Sequence, residues 1–301
     1  MSDIITKPLN VPVDPPEPFG DGFITFTAEE ANSTIGLSRL STNQTLEYST
    51  DNINWNTFNT AVTITLASVG DKVYIRGVLS ANNNASDYTQ FTMTGRITAS
   101  GNCNALWNYE NLNAPLKSYC GYHMFQDCSS LTTAPDLPST ILTDHCYQYM
   151  FTRCASLTTA PELPATTLAI YCYAAMFSHC TSLTTAPKLP ATTLTDSCYR
   201  TMFQGCTSLT TAPELPATTL ASNCYRSMFQ SCSSLTTAPK LLATTLTDSC
   251  YSAMFQDCTS LTTAPELPAT TLANWCYSTM FQGCTSLTTA PELPATTLTN
   301  W

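Results

Sequence analysis

The sequence has few charged side chains and very few basic ones. Asp, Glu, Lys and Arg make up 11% of the 301 residues, and the formal net charge is −10. An average soluble domain carries about 25% charged residues. Because no basic patch is available to neutralise phosphates, we expect no nucleic-acid partner. No apolar run approaches the ~18 residues of a spanning helix, so we also expect no membrane insertion.

Residue types that carry catalysis are also scarce. The chain has three histidines, and residues 1–110 contain none, which removes the commonest general base from that part. There is no paired-acid motif, nucleophile elbow or phosphate-binding loop. His145 beside Cys146 would suit a Cys–His nucleophile, but unrelated residue types fill the same slot in later repeats. We therefore predict no catalytic residue and no cofactor, and an enzyme in the N-terminal region is the least favoured hypothesis.

What the sequence does contain, from residue 120 onward, is one 26-residue unit repeated seven times. The unit is clearest in residues 198–223, CYRTMFQGCTSLTTAPELPATTLASN. Two cysteines eight residues apart recur in strict register, from Cys120 and Cys128 to Cys276 and Cys284. A fixed period of about 20–50 residues indicates a solenoid, because one unit cannot bury its apolar face alone.

Each repeat is predicted to form one helix and one short strand. Between Cys250 and Cys258 the apolar residues fall on one stripe of a helical wheel, which predicts a short amphipathic helix. The following Ser260–Pro268 segment is rich in Thr and Pro and is predicted to be a short strand that Pro265 ends. One helix and one strand per 26 residues is typical of a leucine-rich repeat.

The recurring pattern Met-Phe-x-x-Cys-x-Ser-Leu-Thr-x-x-Pro-x-Leu-Pro carries a resemblance. It resembles the BspA-like leucine-rich repeat family of bacterial surface proteins, whose repeats also occur in structural proteins of tailed phages. The resemblance covers residues 120–301, and it departs from the family pattern in length and in the proline inside the expected strand. It implies binding or display rather than catalysis.

Three further segments precede the repeats. Residues 1–22 contain five prolines and are predicted to be an extended arm, either a disordered leader or a docking segment. Residues 23–100 alternate β-rich runs with turn clusters, which predicts a small all-β sandwich. The Glu47–Trp55 stretch resembles the hairpins of immunoglobulin-like modules in bacterial and phage surface proteins, which implies a sandwich of that type. Residues 101–119 are predicted to cap the solenoid. The expected fold is thus multidomain, with the sandwich followed by an α/β solenoid of seven repeats over residues 120–301.

The fifteen cysteines do not have the spacing of disulfides or metal ligands. On a helix, two cysteines eight residues apart lie about 12 Å from each other, whereas bridged Cα atoms are usually within about 7 Å. Structural metal sites favour two cysteines separated by two to four residues, together with a second such pair or histidines, and no such arrangement is present. The sequence therefore predicts buried free thiols and no metal site.

One surface column is the candidate binding face. Its charged residues vary in sign, which either avoids like-charge repulsion between neighbouring repeats or marks a ligand face beside regular threonine hydroxyls. The charged residues are Asp136, Glu162, Lys188, Glu214, Lys240, Glu266 and Glu292, and the threonines are Thr211, Thr237 and Thr263. The expected ligand is a host-surface protein or a glycan.

The N-terminus and the end of the chain suggest where the protein acts. Met1–Gly22 has neither a basic start with an apolar core nor an early cysteine, which favours a phage virion component (tail, fibre or capsid decoration) over a bacterial cell-surface or extracellular adhesin. The arm or the β-domain would then bind other virion proteins. Because Trp301 stops one residue before a further repeat, we expect a longer repeat array or a covering subunit, and a homo-oligomer remains open.

Overall fold

The computed structural model describes residues 22–295, and residues 1–21 and 296–301 lie outside the described range. The predicted arm therefore falls almost wholly outside it. The same holds for Trp301 and for the expectation of an uncovered end that was based on it.

Nine strands and one short helix account for the regular secondary structure of the described residues. The prediction that residues 23–100 are all-β is confirmed, and the immunoglobulin-like assignment stays a prediction. The elements are β1 (Ile24–Ala28), β2 (Ser33–Arg39), β3 (Gln44–Ser49), β4 (Asn56–Phe58), β5 (Thr63–Leu66), β6 (Lys72–Leu79), β7 (Gln90–Thr94), β8 (Ile97–Ser100), α1 (Ala105–Asn108) and β9 (Leu131–Thr133).

These strands form two sheets. One has the order β4-β3-β6-β1-β8-β9 and the other the order β5-β2-β7. In β6, alternate residues such as Val73 and Ile75 are fully buried, as expected for a strand with one face on the core. β9 belongs to the first repeat and pairs in parallel with β8, with Ile97 opposite Leu131. The repeats therefore continue directly from the larger sheet.

The segment between the two cysteines of each repeat is not the predicted helix but a ribbon of overlapping turns. In residues 249–258 every second N–H bonds the carbonyl three residues earlier, as from Ser252 to Ser249 at 3.2 Å. The other N–H groups bond the next repeat, as from Tyr251 to Cys276 O at 3.0 Å. Ala253 has a φ of 54°, and equivalent left-handed residues recur every four positions. An α-helix would use all of these N–H groups internally and leave none to join the repeats.

The predicted strand in each repeat is also shorter than expected. Within residues 22–295 only the first repeat has a three-residue strand, and later repeats pair through single parallel bridges, such as Thr211 with Thr237 and Thr237 with Thr263. Every repeat has a proline at the position of Pro265, which has no N–H to extend a ladder. The first repeat keeps three residues because its strand pairs with the regular strand β8.

Stacked rings and thiols fill the interior of the repeats. Phe177, Phe203 and Phe229 are fully buried, with ring centroids 5.8 and 5.7 Å apart and planes within 7° of parallel. The tyrosines one turn away stack in the same manner at 5.8 Å between Tyr199 and Tyr225. Each repeat thus buries the same residue types on its neighbour, which is how a repeat protein builds a continuous core.

The N-terminal part caps this core, because its side chains and backbone make the contacts that a preceding repeat would make. The ring of Phe91 in β7 packs against that of Phe125 with centroids 5.1 Å apart and planes tilted by 32°. The N–H of Phe91 donates to Met124 O at 2.8 Å, as Phe125 N–H does to Met150 O. Trp107 packs against Tyr147 with centroids 5.8 Å apart and planes tilted by 38°, and its Nε1–H donates to Cys120 O at 2.9 Å. The first repeat has Gly121 where later repeats have tyrosine. Cap residues thus come from β7 as well as from the predicted segment 101–119.

Candidate binding face

The seven charged residues of the predicted column are all exposed. Each follows the first proline of the Pro-x-Leu-Pro segment or its equivalent. The leucine after it, such as Leu189 or Leu215, is buried in the first six repeats, and Leu293 in the seventh is exposed. No ion pair joins any of the seven within residues 22–295, since the three pairs found there involve other residues. The charges of the column are therefore available to a ligand.

Two grooves lie between neighbouring repeats along this column. The first, of about 550 Å³, is lined by prolines on both sides together with Lys188 and Glu214. The second, of about 380 Å³, is lined by the same Glu214 with Lys240 and Leu242. Leu242 replaces a proline of the other repeats and is 47% exposed. Grooves of a few hundred cubic ångströms with apolar walls and a few polar groups are typical of ligand sites.

The predicted threonines lie in one ladder. Parallel bridges join Thr211, Thr237 and Thr263, and all three side chains are exposed. Their hydroxyls have no hydrogen-bond partner among the described residues, whereas those of the preceding Thr236 and Thr262 donate to carbonyls one repeat earlier. We call residues 210–219 and their equivalents in the other repeats the threonine–proline face. It contains both the grooves and the charged column.

Sequence reasoning missed a second line of threonines on this face. Thr218 and Thr219, after the second proline, are exposed in the same way as Thr210 and Thr211. The face therefore carries four exposed threonines in this repeat. The signal for this second line is the recurring Pro-Ala-Thr-Thr motif.

Alternate repeats differ, so the larger structural period is 52 residues. Asp144, Asp196 and Asp248 occur in every second repeat, and each carboxylate accepts an N–H of the next repeat, as from Ser222 to Asp196 at 3.0 Å. Among the described residues, the second threonine line is bridged only between a repeat that carries one of these aspartates and the repeat after it, as between Thr193 and Thr219. The charged column follows this alternation from Glu162 to Glu266.

The turn ribbons of the first repeats carry a cluster of aromatic rings that was also missed. His145 lies between Tyr119 and Tyr171, at centroid distances of 4.3 and 5.1 Å. His123 lies between Tyr88 and Tyr149 at 5.0 and 4.6 Å. These rings come together because neighbouring repeats place residues 26 positions apart side by side, and because Tyr88 of the N-terminal part adds a further ring.

This environment changes the protonation of one histidine. Burial lowers the pKa of His123 to about 4, although the nearby carboxylate of Asp127 acts in the opposite direction. His123 is therefore a neutral ring in the stack at physiological pH.

We expect the NMR titration of His123 to have its midpoint near pH 4 in the full chain. Tyr88→Ala removes one stacked ring and exposes the imidazole, so it should move the midpoint toward the 6.5 of a free histidine. Tyr171→Ala removes a ring that stacks on His145 instead, and should leave the His123 midpoint unchanged. A midpoint near 6.5 in the unaltered protein would show that the imidazole is not buried in this stack.

The cysteines are buried and free, as predicted. All fifteen are unpaired, and the second thiol of a repeat donates to a phenylalanine carbonyl, as from Cys206 to Phe177 O at 3.1 Å. Burial raises the pKa of Cys180 and Cys198 to about 12. A thiol in that state is neither a nucleophile nor a ready metal ligand. Residues 22–295 contain no cluster of three or more His, Cys, Asp or Glu side chains arranged to hold a metal.

Comparison with known families agrees with the repeat geometry. The model of the BspA-type leucine-rich repeat region matches in six copies over residues 98–236 and 144–288. The chain belongs to the BspA-type leucine-rich repeat family. No curated protein and no solved structure matches it.

BspA-type repeats are typical of surface and adhesion proteins, and the family is generally non-enzymatic. Its members are typically surface or extracellular proteins. Across residues 22–295 no helix has the length and hydropathy needed to span a membrane.

Proposed function

We propose that this BspA-type protein is a non-enzymatic adhesion protein whose threonine–proline face binds a host-surface protein or glycan. The observation that carries the proposal is the row of unpaired charges beside grooves of about 550 and 380 Å³. Free hydroxyls of the threonine ladder lie on the same face. Side chains whose only role was to hold the repeats together would be expected to pair with their neighbours.

The N-terminal sheets are proposed to act as a mounting module of immunoglobulin-like type, and the repeats as a seven-turn solenoid that displays the face. Phe91 of β7 packs against Phe125 of the first repeat, and Trp107 of α1 packs against Tyr147 of the second, so both rings join the N-terminal part to the repeats and support this proposal. A rigid connection lets a docked N-terminal region hold the binding face in a fixed orientation.

The proposed location is a phage virion, as a tail, fibre or capsid-decorating component, with a bacterial cell-surface adhesin as the alternative. In the virion, the N-terminal arm or the sheets would bind other virion proteins while the repeats meet the host. Co-purification with assembled particles is the expected result. Recovery from a bacterial envelope in a processed or lipid-modified form would favour the alternative.

Binding itself is tested with whole envelopes. The full chain is expected to sediment with envelopes of a susceptible bacterium, and the double variant Lys188→Gln with Lys240→Gln should sediment at least several-fold less. Arg226→Gln, which removes an exposed charge from a turn ribbon, is the matched control and should bind normally. Equal binding by all three proteins would contradict a role for the threonine–proline face.

A further inference from the structure

The surface features of the threonine–proline face recur at a spacing that restricts its ligand. Thr133, Thr159 and Thr185 continue the bridged ladder of Thr211, Thr237 and Thr263. Bridged neighbours in a sheet lie about 4.8 Å apart, and the buried rings of adjacent repeats lie 5.7–5.8 Å apart. A ligand that contacts each repeat in the same manner must therefore have a unit of about 5 Å.

An extended polypeptide lying along the ladder does not have this spacing. Its side chains return to the same face every ~6.7 Å in a β-strand. In a polyproline helix, they return about every 9.3 Å, after three residues. Either form falls out of register with the ladder after one repeat. In an extended β-1,4-linked glycan, the length of one sugar unit is close to the distance between neighbouring repeats. Such a chain therefore stays in register with the ladder.

The 52-residue alternation matches the same class of polymer. Successive sugars of a β-1,4-linked chain are turned by about half a revolution, so opposite edges face the protein on alternate sugars and the true repeat is a disaccharide. The charged column alternates Glu162, Lys188, Glu214, Lys240 and Glu266. A carboxylate accepts from sugar hydroxyls and an ammonium group donates to them.

The composition of the face favours a neutral glycan. The alternating charges of the five central repeats nearly cancel, while the whole chain has a net charge of −10 that would repel a polyanion. Proline rings line the grooves and provide apolar walls for the C–H faces of sugars. The free hydroxyls of Thr211, Thr237 and Thr263 provide both donors and acceptors.

We infer that the threonine–proline face binds an extended, neutral β-1,4-linked glycan, with one sugar per repeat and one disaccharide per pair of repeats. This inference rests on the proposed adhesion function and names the ligand class of its face.

The test compares hexasaccharides with the full chain by calorimetry. Cellohexaose and chitohexaose share the β-1,4 linkage, whereas maltohexaose and laminarihexaose contain the same glucose as cellohexaose with other linkages. We expect at least one β-1,4 hexamer to bind at least tenfold more tightly than the last two. Affinity should also rise from disaccharide to hexasaccharide as more repeats are engaged. Equal affinity for all linkages, or no binding of either β-1,4 hexamer, would overturn the inference.

Two variants test the register. The charge exchange Lys188→Glu with Glu214→Lys keeps composition and net charge but destroys the alternation, and should weaken binding of the preferred hexamer at least tenfold. The double variant Thr211→Val with Thr237→Val should weaken it about fivefold, whereas Thr207→Val, an exposed threonine outside the ladder, should not. All of these positions are exposed, so unchanged circular dichroism is expected. Unaltered affinity in the charge exchange would refute the alternating register.

The experiments distinguish an incorrect ligand class from an incorrect proposed function. If the protein sediments with envelopes through this face but binds no β-1,4 hexamer, the inference is wrong and the adhesion proposal stands. If the protein sediments with no envelope at all, the adhesion proposal falls as well.

Discussion

Alkali is expected to unfold this protein in one steep transition that begins just above pH 9. Burial raises the pKa of fourteen of the fifteen thiols above the 9.0 of an exposed cysteine. Because the folded-state pKa values are raised, these thiols stabilise the fold fully below pH 9. Their contribution is lost as the pH rises from that value toward the folded-state pKa, since only the unfolded chain can release the protons.

The size of this effect decides the outcome. Each thiol lowers the free energy of unfolding by roughly 1.4 kcal/mol per pH unit above pH 9. The thirteen more deeply buried of these fourteen thiols, all of them except Cys284, would together remove roughly 18 kcal/mol per pH unit, whereas a domain is typically held by about 5–15 kcal/mol. Even half of this effect would unfold the chain by about pH 10.5. Buried tyrosines such as Tyr173 and Tyr225, whose pKa values are also raised by burial, add to the loss at higher pH.

The measurement follows thiolate ultraviolet absorbance and far-ultraviolet circular dichroism in the same titration. We expect both signals to change together and steeply. The same chain in guanidinium chloride is the control, and its thiols should titrate gradually around pH 9. Gradual thiolate formation in the native buffer, with an unchanged dichroism spectrum, would mean that the thiols are accessible and the ladder of buried cysteines is wrong.

Loss of the N-terminal cap ring is expected to have the second large effect. Phe91→Ala removes a buried side chain that packs against Phe125 and continues the line of phenylalanine rings into β7. Such a truncation typically costs about 3–5 kcal/mol. Since repeat arrays are held by nearest-neighbour contacts, the first repeat should become the least protected part of the array.

Phe23→Ala is the matched control. Phe23 is only half-buried and packs against Tyr74 at 5.0 Å, away from the repeats. Phe23→Ala should lower the free energy of unfolding by less than about 2 kcal/mol. Denaturant unfolding measures both losses, and amide exchange locates them. Equal losses, or unchanged protection of residues 119–133 in Phe91→Ala, would contradict the capping role of Phe91.

The sequence predicted the strands better than the turn ribbons, for a physical reason. Alternation in Lys72–Leu79 has a period of two, which no helix shares. The stripe of apolar residues from Cys250 to Cys258 fits a 3.6-residue helix, but over nine residues it fits a four-residue turn period equally well. The left-handed φ angles of Ser249, Ala253 and Asp257 distinguish the two. The position of Asp257 is glycine in two repeats, as Gly205 and Gly283, but the positions of Ser249 and Ala253 are never glycine, so most of these left-handed residues carry no sequence signal.

The candidate face was predictable in part. The charged column and the threonine ladder follow from the 26-residue register alone. The 52-residue alternation was also present in the sequence, because Lys188 and Lys240 occur in the same repeats as Asp196 and Asp248. The grooves and the free hydroxyls were not predictable, because they depend on how the Pro-x-Leu-Pro segments pack between repeats. The aromatic cluster was not predictable either. It includes Tyr88 of the N-terminal part, whose position does not follow from the 26-residue register.

Amide hydrogen exchange of the full chain, with and without bound bacterial envelopes, tests the central claim most directly. That claim is that the protein acts as a binding surface through residues 210–219 and their equivalents. We expect envelope binding to slow exchange on that face in several consecutive repeats, and to leave the turn ribbons, such as residues 197–206, unchanged. Slowed exchange confined to the turn ribbons or to strands β1–β8, with none on the threonine–proline face, would contradict the account.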